Sequence, residues 1–349
     1  MSTDLRIELL KTISETAGAP GFEGRLREVI IKEISPNVDS ITVDNMGNIV
    51  AFRKGKESKK IMLAAHMDEI GFIVSHIDDN GFVRFIPLGG FDPKTLTSQR
   101  VIIHGERDII GVMGSKPIHL MSEDERGKPM KITDYYIDLG MKKDEVVKIV
   151  SIGDAVTRER ELIEMGDCIN GKSLDNRISV YVLIEALVQL KNIELPFDTY
   201  AVFTVQEEVG LRGAHVATLQ IQPDFGIAID TTIAFDVPGS QAHEQVSKLG
   251  EGAAIKIMDS SVIADRRMVA FLKKAADDAS IKWQPELLPA GGTDTANLQK
   301  MVKGGAIAGA ISIPTRHIHS VIEMVHKQDV KNAISLLSEA VKNIDKLIL

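Results

Sequence analysis

Apolar runs and amphipathic segments alternate along most of the chain and predict strands separated by helices. Lys60–His66 and Tyr200–Val205 are apolar runs bounded by polar residues, which is typical of strands buried inside a sheet. Arg177–Leu190 carries a wide apolar stripe at helical spacing, and Asp329–Leu347 is a second amphipathic segment. The same pattern predicts further strands and helices at Phe225–Ile229, Ala253–Met258, Gly305–Ile313, Arg212–Leu219 and Ala264–Ala279. Together these elements predict an α/β fold, with a mainly parallel mixed sheet sandwiched by helices.

The pattern changes between about Ile70 and Gly166, where short strand-like pieces follow one another with turn residues between them. This segment predicts a small β-barrel-like domain inserted into the α/β chain. Its predicted bounds are residues 70–166, and residues 1–69 and 167–349 are predicted to form the larger domain. Within the insert, Lys116–Met130 is polar, contains two prolines and predicts a mobile loop.

Composition and charge narrow the classes of function. The 349 residues are 44% hydrophobic and 26% charged, as is ordinary for a globular protein of enzyme size. The net charge of −8 is spread along the chain and disfavours nucleic acids and membranes as partners. No apolar stretch approaches the roughly 20 residues of a membrane helix, and the N-terminus does not resemble a signal peptide. Because Cys168 is the only cysteine, we expect a cytoplasmic protein without an intrachain disulfide.

Two adjacent carboxylates, Glu207 and Glu208, follow the apolar run Tyr200–Val205. Carboxylates side by side at the end of a buried strand repel each other unless a cation or a shared proton offsets their charge. Val209–Gly210 breaks the strand, so both side chains can turn toward one site. A pair of solvated loop residues is the structural alternative. The interpretation that uses both residues has one carboxylate binding a cation while its neighbour handles a proton.

Further potential metal ligands follow or precede predicted elements. His66 ends a predicted strand, and Asp68 stands two residues later, where it can fix the tautomer of the imidazole. Asp230 ends another strand, Asp175 precedes a predicted helix, and His319 is the second of two closely spaced histidines. Taken singly, each has a structural alternative, such as a buried structural histidine, a helix cap or a turn aspartate.

Taken together, two histidines and three or four carboxylates at strand ends are the ligand set of two divalent cations. Two cations roughly 3.5–4 Å apart can polarise a carbonyl and activate a water molecule. A carboxylate outside the ligand set can then take the proton from that water. The sequence contains no Gly-x-Ser-x-Gly elbow, which disfavours one common alternative design.

Over nearly its whole length, the chain resembles the M42 family of metallo-aminopeptidases, the tetrahedral or glutamyl type among the di-zinc exopeptidases. The number and order of the matching motifs make this resemblance specific. The motifs are Ala19-Pro20-Gly21-Phe22-Glu23-Gly24, His66-Met67-Asp68-Glu69-Ile70-Gly71-Phe72, Ser173-Leu174-Asp175-Asn176-Arg177, Glu207-Glu208-Val209-Gly210, Ala228-Ile229-Asp230, Gly291-Gly292-Thr293-Asp294 and Arg316-His317-Ile318-His319-Ser320.

The resemblance implies two metal ions per subunit, most typically zinc or cobalt. It implies that His66, Asp175 and Asp230 hold one ion. It further implies that Asp175 bridges to the second ion, which Glu208 and His319 complete. In the same family pattern, the β-rich insert is a dimerisation domain, and dimers assemble into dodecamers.

The resemblance also implies the chemistry. Glu207 resembles the general base, and Asp68 resembles the partner that orients His66. The expected substrates are short peptides, from which one N-terminal residue is removed at a time.

Two other functions stay open on the sequence alone. The first is a metal-dependent deacylase or carboxypeptidase on the same scaffold, and the second is a non-catalytic, oligomeric metal-binding protein. Polysaccharide hydrolysis is disfavoured, because aromatic residues make up only 5% of the chain and Trp283 is its single tryptophan.

Overall fold

The computed structural model describes residues 4–347. Residues 1–3 and 348–349, which the predicted larger domain includes, lie outside the described residues. The helices are α1 (Ile7–Glu15), α2 (Gly24–Ile34), α3 (Glu123–Arg126), α4 (Lys143–Val146), α5 (Leu174–Leu190), α6 (Arg212–Ile221), α7 (Arg266–Asp278), α8 (Thr295–Lys300) and α9 (Lys327–Lys342). Over the described range, none of them has both the length and the apolar character needed to span a bilayer.

The strands divide between one large sheet and a barrel. Those of the sheet are β1 (Ser40–Val43), β2 (Ile49–Arg53), β3 (Gly55–His66), β10 (Ile163–Met165), β11 (Cys168–Gly171), β12 (Leu195–Thr204), β13 (Phe225–Ile233), β14 (Ala253–Met258), β15 (Trp283–Leu287), β16 (Ile307–Arg316) and β17 (Glu323–His326). Those of the barrel are β4 (Gly71–Ile77), β5 (Val83–Leu88), β6 (Arg100–His104), β7 (Asp108–Gly114), β8 (Tyr136–Asp138) and β9 (Ala155–Arg158).

The large sheet is parallel in its centre and mixed toward its edges. Its order is β1-β2-β12-β3-β13-β16-β17-β11-β10, with β14 beside β16 and β15 beside β14. The strands β12, β3, β13 and β16 run parallel to one another. The strands outside this centre pair antiparallel, except that β15 runs parallel to β14. This arrangement confirms the predicted α/β fold class.

Strand β3 shows how the sequence builds two cores. Ile61, Leu63 and Ala65 lie in a core that includes the apolar side chains of α5. Met62 and Ala64 lie in a separate core, which includes residues of α6 and α8. Successive residues of a strand point to opposite faces, so a sheet covered on both sides requires an uninterrupted apolar run.

The six barrel strands close in the order β4-β5-β8-β7-β6-β9. The barrel has its own core, which contains Phe72, Val101 and Ile137. It confirms the barrel-like insert of the predicted fold class. The predicted loop Lys116–Met130 is not wholly irregular, because Ser122 caps the short helix α3 by accepting from the backbone N–H of Glu125.

Candidate metal centre

The carboxyl ends of the central strands bring several predicted site residues together. β3 ends at His66, which pairs with Thr204 of β12, three residues before Glu207. Asp230 lies near the end of β13, the other neighbour of β3. Parallel strands place their carboxyl ends at one edge of a sheet, where ligands of open α/β folds commonly bind.

Asp175 and His319 reach the same edge from irregular backbone. Asp175 lies in the first turn of α5 but has non-helical torsions, with φ −77° and ψ 107°. His319 lies in the turn between β16 and β17 and has a left-handed φ of 58°. One cavity of about 810 Å³ is lined by six of the predicted site residues: His66, Asp175, Glu207, Glu208, Asp230 and His319.

Asp175 stands between the two imidazoles. Its Oδ1 lies 3.4 Å from Nε2 of His66, and its Oδ2 lies 3.3 Å from Nε2 of His319. The carboxylate therefore presents one oxygen atom to each histidine.

The ligand atoms fall into overlapping groups of three, each within 4.8 Å. One group is His66, Asp175 and Asp230, and another is Asp175, Glu208 and His319. A third combines His66 with Glu207 and Glu208. Mixed imidazole and carboxylate ligation suits borderline divalent ions such as zinc and cobalt.

The electrostatics of the cluster favour a bound cation. Burial, reinforced by the negative charge of Asp175, raises the pKa of Glu208 to about 8. Burial and the same neighbour also raise the pKa of Asp230 to about 8. Within the part of the chain that the structure describes, Oε1 of Glu208 is buried without a hydrogen-bond partner. A divalent cation would offset the repulsion between these carboxylates and would coordinate Oε1 of Glu208. The residues present therefore fit the metal ions that the family pattern implies.

Glu207 is buried beside the cluster and is subject to the same electrostatic effects. Its Oε2 lies 3.7 Å from Nε2 of His66. Burial, together with the negative charges of Asp230 and Glu208, raises the pKa of Glu207 well above its ordinary value. A carboxylate of raised pKa can hold a proton at neutral pH.

Asp68 holds the backbone of both adjacent glutamates. Its Oδ1 accepts from the N–H of Glu207 at 3.0 Å, and its Oδ2 accepts from the N–H of Glu208 at 3.1 Å. Nδ1 of His66 lies 3.3 Å from the main-chain oxygen of Asp68 and 3.5 Å from its Oδ1. Asp68 is fully buried. Because it follows β3 and accepts from the backbone that follows β12, this one carboxylate connects the ends of the two strands.

Sequence reasoning missed a buried ion cluster behind the site. Glu69 lies 2.7 Å from Nζ of Lys172 and 3.5 Å from Arg177, and it also accepts from the hydroxyl of Ser173. The two cations lower the pKa of Glu69 to about 2 against the opposing effect of its burial. The available signal was the second of two adjacent carboxylates after His66, Asp68-Glu69, together with two basic residues flanking Asp175.

The motif Ala19–Gly24 supports the loop that carries Glu207 and Glu208. Glu23 is buried, and its Oε1 accepts from the backbone N–H groups of Gly21 and Gln206. Gln206 directly precedes Glu207, so this contact ties the N-terminal segment to the loop that carries the glutamate pair.

The barrel also contributes to the site. A Cβ atom built on Gly90 would lie 3.3 Å from Nδ1 of His319, and one built on Gly89 would lie 3.4 Å from Cβ of Glu208. The turn after β5 therefore packs closely against two of the predicted ligands.

The rest of the cavity wall is largely apolar. It includes Ile233, Phe235, Val237 and Leu288. Lys256 also lines the cavity, but it is buried. Its Nζ forms an ion pair with Glu286 and lies 3.3 Å from Oδ2 of Asp259. Such a wall can accommodate a peptide side chain next to the cation ligands.

Comparison with solved structures first defines the class. The chain superimposes on the TET aminopeptidase of a marine-sediment Thaumarchaeota archaeon with a TM-score of 0.94 and 36% identity, covering 97% of this chain and 96% of that one. It is also similar to the TET1 peptidase of Pyrococcus horikoshii, described as able to assemble into a tetrahedron or a large octahedral shell. There the TM-score is 0.86 and the identity 32%, covering 96% of this chain and 98% of the other. A Thermotoga maritima structure named endoglucanase matches with a TM-score of 0.80 and 32% identity, covering 97% and 98%.

Comparison with curated sequences then gives the family. The model of the M42 glutamyl aminopeptidase family matches residues 47–336. A candidate aminopeptidase of Acetivibrio thermocellus is 41% identical over 98% of this chain and 100% of its own length. The lysyl aminopeptidase of Pyrococcus furiosus is 34% identical over 97% of this chain and 98% of its own. The chain belongs to the M42 glutamyl aminopeptidase family and is a peptide-bond hydrolase of the aminopeptidase type.

Proposed function

We propose that this chain is a two-cation aminopeptidase that removes the N-terminal residue from short peptides. The observation that carries the proposal is the position of Asp175, with one oxygen 3.4 Å from His66 and the other 3.3 Å from His319. A carboxylate placed in this way can present one oxygen to each of two neighbouring cations.

Each candidate cation has its own set of ligands. His66, Asp175 and Asp230 would hold one ion, and Asp175, Glu208 and His319 would hold the other. Zinc or cobalt is proposed for both ions, because these ligand types suit either metal. When bound, the ions lower the pKa of the attacking water and polarise the scissile carbonyl.

Glu207 is proposed as the general base. Its buried carboxylate takes the proton from the attacking water and later donates it to the leaving amine. Asp68 fixes the backbone of Glu207 through the 3.0 Å hydrogen bond and so keeps the carboxylate at the cavity wall.

Homo-oligomerisation through the barrel is proposed as well. The exposed apolar side chains Ile86 on β5 and Ile110 on β7 lie on the two strands that flank β8. Exposed large apolar side chains on neighbouring parts of a barrel wall make that wall a candidate protein interface. The proposed assembly is a dodecamer built from dimers.

A cytoplasmic location is also proposed. With Cys168 as its only cysteine, the chain can form no intrachain disulfide, as suits a reducing compartment. Cell fractionation checks this, with the cytosolic fraction expected to contain the aminopeptidase activity.

The proposed role of Glu207 is tested by Glu207→Gln. The amide keeps the size of the side chain but cannot accept the proton, so we expect turnover to fall about 10²- to 10⁴-fold. Elemental analysis is expected to find the same metal content as in the wild type. Glu194→Gln is the control, because that side chain is 73% exposed and pairs with Lys56 on the surface. A fully active Glu207→Gln protein contradicts the role.

A substrate panel separates this function from its rivals. Aminoacyl anilides are expected to be cleaved, whereas N-acylated amino acids and a β-glucan are expected to remain intact. Preferential cleavage of N-acylated substrates would instead indicate a deacylase or carboxypeptidase. Loss of activity after chelation, and its return with zinc or cobalt, excludes a non-catalytic metal-binding protein.

A further inference from the structure

Glu323 is a buried carboxylate that lies beside the candidate metal centre without belonging to it. Among the described residues, none of the groups that could hold a metal ion includes Glu323. Its side chain is only 1% exposed, so its charge must be satisfied by other protein groups.

The fold places Glu323 between the two segments that carry Asp175 and His319. It is the first residue of β17 and pairs with Gly171, the last residue of β11, from which the chain continues to Asp175. On its other side, β17 pairs with β16, which ends three residues before His319. This short strand therefore sits where two ligand-bearing loops meet.

The carboxylate of Glu323 accepts a hydrogen bond from each of these loops. Its Oε2 accepts from the backbone N–H of Asp175 at 2.8 Å, and its Oε1 accepts from the backbone N–H of His319 at 3.1 Å. Asp175 has non-helical torsions and His319 has a left-handed φ, so these amides need an acceptor outside regular secondary structure.

Only a carboxylate satisfies both amides. It offers two acceptor oxygens and no donor, whereas the amide of glutamine offers one oxygen and one NH₂ group. Asp68 makes the same kind of double contact with the N–H groups of Glu207 and Glu208. Two buried carboxylates thus each tie together a pair of site residues by their backbones.

A cation from the barrel offsets the charge of Glu323. The guanidinium of Arg158, at the end of β9, donates to the carbonyl oxygen of Ser320 and to Oγ of Ser173. Ser320 directly follows His319, and Ser173 lies two residues before Asp175. Burial raises the pKa of Glu323 to about 7, and the positive charge of Arg158 opposes that rise.

We propose that Glu323 is a positioning residue that sets the separation of Asp175 and His319. It thereby sets the affinity for the cation that Asp175, Glu208 and His319 would hold. This inference rests on the proposed two-cation function. Glu323 acts through the backbones of the two ligands and touches neither substrate nor cation. The other cation group shares Asp175 but also contains His66 and Asp230, which do not bond to Glu323, so the ion in that group should be affected less.

The test is Glu323→Gln, titrated with Co²⁺ after chelation, with calorimetry and the visible absorption of bound cobalt as readouts. The ion that Asp175, Glu208 and His319 would hold is expected to bind about 10- to 100-fold more weakly, and the ion that His66, Asp175 and Asp230 would hold is expected to lose much less affinity. At limiting Co²⁺, kcat is expected to fall while KM stays unchanged, and raising Co²⁺ should restore kcat. Glu323→Asp keeps both acceptor oxygens and is expected to recover part of the lost affinity.

Asp329→Asn is the matched control. Asp329 is also a buried carboxylate that accepts from two backbone N–H groups, those of Gly250 at 2.7 Å and Gly252 at 2.8 Å. Asp329→Asn is expected to lower the melting temperature while leaving both Co²⁺ affinities unchanged.

Three results overturn the inference. They are unchanged binding of both ions by Glu323→Gln, equal weakening of both ions, or the same selective weakening in Asp329→Asn. A wild-type protein that binds fewer than two ions contradicts the proposed function itself. A wild-type protein that binds two ions, which Glu323→Gln retains with equal affinity, contradicts only the role of Glu323.

Discussion

Individual carboxylates around the cavity have three separate roles. In the proposed mechanism, Asp175, Asp230 and Glu208 supply oxygens to two cations, and Glu207 transfers a proton. Asp68 instead accepts from the backbone N–H groups of Glu207 and Glu208 and holds this part of the backbone in position. Residue type alone does not distinguish these roles, because what differs is the set of atoms that each carboxylate faces.

The crowded ligands predict how the metal-free protein responds to pH. The folded chain raises the pKa of Glu208 from 4.5 to about 8, so the folded state binds this proton more tightly than the unfolded state does. The resulting stability is present below pH 4.5 and is lost as the pH rises through about 8. We therefore expect chelated protein to melt at least about 3 °C lower at pH 8 than at pH 6, since 1 kcal/mol changes the melting temperature of a large domain by about 2–4 °C.

Calorimetry at the two pH values, with and without added Zn²⁺, checks this expectation. Zn²⁺ binds the unprotonated ligands, so its stabilising effect should be larger at pH 8. In Glu208→Gln the titrating group is absent, and the pH dependence of the chelated protein should shrink. A chelated wild type that is equally stable at both pH values contradicts the electrostatic picture.

At the level of elements, the turn after β5 connects the barrel to two of the predicted cation ligands. The Cβ of Gly90→Ala would lie 3.3 Å from Nδ1 of His319, closer than side chains ordinarily pack, so the imidazole must move by a few tenths of an ångström. A misplacement of about 1 Å can cost roughly 100-fold in rate, and this smaller shift is expected to lower kcat severalfold. Steady-state kinetics at saturating Co²⁺ measure the effect.

Gly24→Ala serves as the control for this substitution. Gly24 begins α2, and no described atom outside its own helix turn and chain neighbours lies within 4 Å of a Cβ built there. The control is expected to keep full activity. Wild-type kcat in Gly90→Ala would show that the turn does not constrain His319.

The sequence predicted the long elements but not the two short strands β11 and β17. Arg177–Leu190 is part of α5, and Lys60–His66 is the buried end of β3. The apolar pattern of these segments extends over many residues and reflects burial on both faces of the sheet. The strands β11 and β17 have only four residues each and depend on their partners, so they leave no periodic pattern to detect.

The candidate site was predictable where ligands end apolar strands. His66 and Asp230 stand at or near such ends, because parallel strands deliver their last residues to one edge. Glu323 was not predictable, because its contacts arise only when the loops of Asp175 and His319 converge on it. No local pattern in the sequence indicates that these two loops lie close together.

At the scale of the whole molecule, the proposed assembly predicts a large particle. A dodecamer of the 38.2-kDa chain has a mass of about 460 kDa, which sedimentation velocity can measure directly. Ile110→Glu places a charge on the exposed apolar wall of the barrel, where Ile110 is 56% exposed, and is expected to yield smaller species. Leu219→Glu on α6 is the control and should keep the wild-type mass. A monomeric wild type contradicts the proposed assembly.

The shared carboxylate of Asp175 is the central claim, and a crystal structure of the zinc-loaded protein tests it most directly. Anomalous difference maps recorded at the zinc absorption edge are expected to show two peaks roughly 3.5–4 Å apart. One peak should contact His66 and Asp230, the other His319 and Glu208, and both should contact Asp175. A single peak, or two peaks that do not share Asp175, contradicts the account.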